Sequence, residues 1–268
     1  VCAHAALTVR THRLESKNLI SKADLEWIFA RNYEGTESLL VFNIKEVNLM
    51  FKLHMKDPGS AITHFIAMIL SILAATPLLL KSYRDTGHFT INSLSLAIFI
   101  VSMILLYAAS TTYHTLDISP KVNRILRKID HMMIFVLIAG TYTPVCMVVL
   151  GDHTGWMLLG LVWGIAIAGI LIKAFWITCP KWFSSMIYIA MGWVCVLAFG
   201  KIVHALPAPA FGWLLAGGII YTVGGVIYAL KLPIFNSRHQ NFGSHEIFHL
   251  FVMGGSLCHY IMMYCFVA

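Results

Sequence analysis

Two histidines four residues apart, His245 and His249, open the last apolar stretch of the sequence. On a helix they lie about 40° apart and one turn removed, so both rings can face one metal ion. The run His245-Glu246-Ile247-Phe248-His249 also fits H-E-x-x-H, the zinc-protease signature whose glutamate is the general base. A second pair at the same spacing, Ser110 and His114, closes an earlier apolar stretch, and Asp130 opens the next one. Ionisable side chains are expensive inside a membrane and mark functional sites there. Whether these groups meet depends on the elements that carry them.

The 268-residue sequence is 59% hydrophobic and only 12% charged. A soluble domain carries about 25% charged residues, so this chain lacks the polar surface of one. Seven apolar segments account for the difference, at about 61–80, 91–113, 129–150, 156–175, 183–203, 211–230 and 247–267. Each is near the ~20 residues that cross the hydrocarbon core as a helix. The fold class is therefore all-α, a polytopic membrane protein with seven transmembrane helices. Its formal charge of +7 sits in the loops between spans, not on one soluble face, so nucleic acid is not expected as a partner and membrane lipids are.

Counting Lys and Arg orients the spans. Lys52, Lys56, Lys121, Arg124, Arg127, Lys128, Lys173, Lys181, Lys231 and Arg238 fall on one side, against Lys81, Arg84 and Lys201 on the other. The basic side is read as cytoplasmic, which puts the N-terminus inside and the C-terminus outside. Residues 1–52 read as a polar, weakly ordered N-terminal extension with no visible chemistry and no secretory signal pattern. Residues 53–268 make the seven-helix transmembrane domain. The six cysteines form no CxxC pair and read as small buried hydrophobes.

With seven spans, topology brings Ser110, His114, Asp130, His245 and His249 to one membrane depth at the cytoplasmic boundary. Three imidazoles with one open position form a catalytic-type zinc set, which makes His114, His245 and His249 the candidate ligands; the alternative is a set of interhelical hydrogen-bond pairs without a metal. Asp130 can then accept a hydrogen bond from a ligand histidine or from water, and Ser110, one turn deeper, can serve likewise. His64, in the first turns of the first span, could join the cluster but is read first as a buried, hydrogen-bonded histidine. His131 projects about 100° from Asp130 and is expected at the head groups. His259 lies about 21 Å along the helix from His245, too deep to share its ion. Tyr142, Thr143 and Pro144 read as a kink-prone packing feature, and Gly217, Gly218, Gly224 and Gly225 as sites of close helix approach.

With these residues placed, the chain resembles the hemolysin III branch of the progestin and adiponectin receptor family, a group akin to the alkaline ceramidases. Ser110-x-x-x-His114, Asp130 followed by Gly140-Thr141-Tyr142-Thr143-Pro144, and His245-x-x-x-His249 carry the match. Asp57-Pro58-Gly59-Ser60-Ala61-Ile62-Thr63-His64 also resembles the entry of the bacterial branch into its first helix. The likeness covers about residues 55–268. It implies a zinc ion on His114, His245 and His249, with Asp130 and Ser110 behind it, in a bacterial inner membrane.

Three functions fit these residues. The first is a zinc-dependent hydrolase of lipid amides, with a lipid-like substrate in the bundle. The second is a non-enzymatic receptor, homeostasis or cytolytic protein with a structural zinc. The third is an intramembrane metalloprotease using Glu246. Only 19 residues follow His249, and their one histidine, His259, lies too deep to complete a protease site. Glu246 is instead expected to be a solvated residue of the first helical turn, favourable to the helix dipole.

Overall fold

The computed structural model describes residues 55–230 and 243–268. The polar N-terminal extension therefore lies outside the described residues, as do Lys52, Lys231 and Arg238 of the charge count. Among the described residues all regular structure is helical, and seven stretches are long and apolar enough to cross a membrane.

Local chemistry sets the helix ends. Helix α1, Pro58–Thr86, starts with a proline at its first position, where no N–H is needed, and stops at Gly87 with φ 70°. Helix α2, Ile91–Thr115, is capped by Thr90, and α3, Pro120–Pro144, by Ser119. Pro144 cannot donate to the helical ladder, and the third span continues as a π-helical turn, Val145–Leu150, before Gly151 reverses the chain at φ 60°. Helix α4, His153–Phe175, begins where Asp152 accepts a hydrogen bond from the Gly155 N–H at 2.9 Å.

The fifth span is broken. It comprises α5, Lys181–Gly192, a 3-10 turn, Val194–Ala198, and α6, Phe199–Ala205. A break inside a membrane leaves backbone groups that must find partners within the protein. Tyr142 supplies them: its hydroxyl donates to the Gly192 carbonyl at 2.6 Å and accepts from the Cys195 N–H at 2.9 Å. The residue read as a packing feature thus closes the break in a neighbouring span. Helix α7, Ala208–Leu230, and α8, Ser244–Phe266, complete the bundle.

Helices α1, α2, α3 and α4 pack in chain order, α7 packs on α8, and α8 closes back onto α1. Leu70 and Leu73 of α1 remain exposed on the outside, where a bilayer would cover them, while Phe99, Tyr107 and Phe135 fill the interior. The small residues on the α7–α8 contact have the expected purpose at two positions. A Cβ on Gly217 would stand 2.0 Å from the His259 ring, and one on Gly224 would stand 2.6 Å from Phe251. Gly218 has nothing within 4 Å and faces a cavity instead.

One member of the charge count is not a loop residue. Lys173 is only 2% exposed, and its ammonium donates to the Ser184 hydroxyl and to the Cys179 sulfur at 3.1 Å. The last turn of α4 folds this side chain against the start of α5 rather than toward the head groups.

Candidate metal centre

The N-terminus of α8 sets the first two histidines. Gly243 is the extended residue before the helix, and its N–H donates to Glu246 Oε2 at 2.8 Å. The other carboxylate oxygen of Glu246 accepts from the Ser60 hydroxyl of α1 at 2.8 Å. Glu246 is therefore half-buried and engaged rather than freely solvated. It caps its own helix and ties it to α1, fixing the face that carries His245 and His249.

The last turn of α2 brings the third ring. Asp57, immediately before α1, donates its backbone N–H to the His114 carbonyl at 2.9 Å. Its side-chain Oδ2 takes a hydrogen bond from His114 Nδ1, also at 2.9 Å. That bond, with Lys56 nearby, holds the Asp57 carboxyl below the usual carboxylate range against the opposing effect of its partial burial. With Nδ1 donating to the carboxylate, Nε2 of His114 keeps its lone pair.

The three rings converge. His114 and His245 have centroids 5.0 Å apart, His114 and His249 5.1 Å, and His245 and His249 4.5 Å. One nitrogen from each lies within 4.8 Å of the other two. His114 Nε2 and His245 Nε2 are 3.2 Å apart. Two ligands about 2.0–2.1 Å from a tetrahedral zinc would lie about 3.3 Å apart, which matches that separation. His114 and His249 are each 2% exposed, and Nδ1 of His245 and of His249 has no partner among the described residues. Three imidazoles at this spacing, one of them held by a carboxylate and two with an unpartnered Nδ1, fit a divalent metal such as zinc.

The remaining predicted residues lie nearby. Ser110, Asp130, His245 and His249 line one cavity of about 130 Å³ that runs into the bundle. Ser110 Oγ has no partner among the described residues. Asp130 is 7% exposed, and no hydrogen bond joins it to the three histidines. Its Oδ2 lies 3.4 Å from His131 Nδ1, which donates to the Arg127 carbonyl at 2.8 Å. His131 is thus buried rather than at the head groups, because Tyr188 of α5 packs over this turn and donates to the His131 carbonyl at 3.1 Å. His64 is buried as expected but is not hydrogen-bonded among the described residues. It stacks on His249 at 3.7 Å with an interplanar angle of 10°.

Comparison with known proteins places this arrangement. The profile of the family described as Haemolysin-III related matches residues 52–260. The chain belongs to that family. Hemolysin-3 of Bacillus cereus is 37% identical over 211 residues, covering 78% of this chain and 90% of that protein. The Hemolysin-3 homolog of Bacillus subtilis is 38% identical over 212 residues, 78% and 94% of the two chains. The Adiponectin receptor protein of Drosophila melanogaster is 25% identical over 242 residues, 79% of this chain and 50% of that one. Seven apolar helices and this membership make the chain an integral membrane protein of hemolysin III type, related to the adiponectin receptors.

Asp57 was absent from the predicted site. Its signal was local: a carboxylate just before a helix-opening proline, at the depth of three histidines. Replacing it with alanine removes the hydrogen bond that orients His114. Loss of such a partner typically costs 10–100-fold in metal affinity. Asp57→Ala is therefore expected to weaken zinc binding about 10–100-fold in a chelator competition. Unchanged affinity would show that Asp57 does not orient the ligand.

Proposed function

We propose that the chain is a zinc-dependent hydrolase of lipid amides, working at the cytoplasmic side of a bacterial inner membrane. The observation that carries this reading is the cavity. It joins His245 and His249 to Asp130 and Ser110 at one end and continues between apolar walls such as Leu106, Ile134 and Ile138. Such walls suit an acyl chain, and the buried polar end suits the carbonyl to be cut.

His114, His245 and His249 would hold the ion. When bound, zinc supplies Lewis acidity that polarises an acyl carbonyl and acidifies water. Asp130 accepts a hydrogen bond from the attacking water and takes its proton. The water oxygen bonds to the acyl carbon as the carbon–nitrogen bond breaks. The proton passes from Asp130 to the leaving nitrogen, so the products are a fatty acid and an amine. Ser110, which lines the cavity and whose hydroxyl has no partner among the described residues, orients the reacting carbonyl or the water.

A second reading is a structural zinc in a receptor-like, homeostatic or cytolytic protein. It is favoured by the ties Asp57–His114 and Ser60–Glu246, which already join α1, α2 and α8 around the three histidines. The name of the Bacillus relatives, Hemolysin-3, also supports the cytolytic form. The protease reading loses its base, since both carboxylate oxygens of Glu246 are engaged in holding the helix.

The discriminating experiment offers ceramides and other long-chain acyl amides to the purified protein, zinc-loaded and zinc-stripped, and measures released fatty acid. Zinc-dependent release is expected. No release across the panel, from protein that binds zinc, would move the balance to the structural reading.

A further inference from the structure

The cavity that begins at His245 and His249 does not end in an apolar pocket. Its far wall contains His259, ten residues beyond His249 on the same helix, or about 15 Å along the axis. This imidazole is 6% exposed, and neither ring nitrogen has a partner among the described residues. Its polar neighbours are engaged. Tyr221 pairs its hydroxyl with Ser256 at 2.8 Å, and Tyr142 donates to Gly192. Thr222 donates to Gly218 at 2.7 Å and accepts from Trp193 at 2.9 Å.

The backbone makes room for this group. A Cβ on Gly217 would strike the His259 ring at 2.0 Å, and one on Gly255 would strike Tyr221 at 2.7 Å. Gly218 opens the wall beside them, and His259 also borders a second, smaller cavity lined by Phe199, Ile202 and Leu214. An apolar side chain would fill the position without leaving polar atoms unmatched, which costs stability. A neutral imidazole offers one donor and one acceptor, the complement of a hydroxyl group.

We propose that His259 recognises a hydroxyl group carried on the distal part of an aliphatic chain whose head group lies at His114, His245 and His249. The inference rests on the proposed lipid-binding role of the cavity and adds a point of selection to it. The hydroxyl donates to the bare imidazole nitrogen or accepts from the N–H. Plain chains still enter but leave the imidazole unmatched, so the site ranks lipids by their tails.

The test uses the full-length, zinc-loaded protein in detergent with two probes, laurate and ω-hydroxylaurate, titrated by calorimetry. The extended length of the second probe matches the separation of the two sites. A neutral hydrogen bond is expected to favour ω-hydroxylaurate about two- to tenfold. His259→Leu is expected to bind the two acids equally while melting no lower than the wild type, because an unpaired polar group has been removed. His259→Gln keeps a donor and an acceptor and should retain part of the preference. The wild-type comparison needs no variant: laurate bound as tightly as ω-hydroxylaurate overturns the hydroxyl site and leaves the lipid cavity standing. A preference that survives in His259→Leu overturns it equally. Failure to bind either acid overturns both readings.

Discussion

Asp130→Asn is expected to lower acyl-amide hydrolysis about 10²–10⁴-fold while zinc content stays at the wild-type level. The substitution keeps the shape of the side chain and removes its ability to take a proton. Asp130 shares the cavity with His245 and His249 but makes no hydrogen bond to the three histidines, so the ligands should keep their positions without it. That separation gives the variant its value. A positioning role alone would survive the exchange, since an amide still accepts a hydrogen bond through its oxygen. The expected outcome is lost turnover with intact metal and an unchanged melting temperature. Full activity in Asp130→Asn would assign the proton transfer elsewhere, with His64 the next candidate in the same cavity wall.

The second large effect concerns the fold. Gly155 stands in the first turn of α4, where helix propensity alone would make alanine better by about 1 kcal/mol. The packing reverses that sign. A Cβ at this position would lie 2.2 Å from the Cys146 carbonyl oxygen and 3.0 Å from the Leu150 Cβ. The first is backbone in the π-helical turn and cannot swing aside. Overpacking of this kind costs about 1–3 kcal/mol, which outweighs the propensity gain. Gly155→Ala should therefore melt at a lower temperature than the wild type. Gly160→Ala, on the same helix with nothing within 4 Å, should be neutral or slightly stabilising. Equal behaviour of the two variants would show that the turn between the third and fourth spans yields more easily than its geometry indicates.

The seven spans were readable because bilayer thickness is written directly into the length of an apolar run. The histidine group was readable for a related reason. Spacing of four placed His245 with His249, and the number of spans between them placed His114 at the same depth. What escaped the sequence depends on partners far away in the chain. The hydrogen bond from His114 to Asp57 spans 57 positions, and that from Ser60 to Glu246 spans 186. No periodicity announces either. The burial of Lys173 was hidden because its partners, Cys179 and Ser184, lie in the following loop and in the next helix. The charge count, blind to where an ammonium ends, treated it as a head-group residue. The broken fifth span carries no internal proline, and the Tyr142 hydroxyl that satisfies the break belongs to another span.

Zinc at the three histidines underlies the hydrolase reading, its structural alternative and the role given to Asp57. The most direct test is elemental analysis of the purified protein, wild type against His249→Ala, after equilibration with zinc and removal of excess. About one zinc per wild-type chain is expected, with loss of most of it in the variant at unchanged helical content, since an open three-histidine site needs all its ligands. Wild-type protein that retains no zinc, or a variant that retains as much as the wild type, would contradict the metal centre.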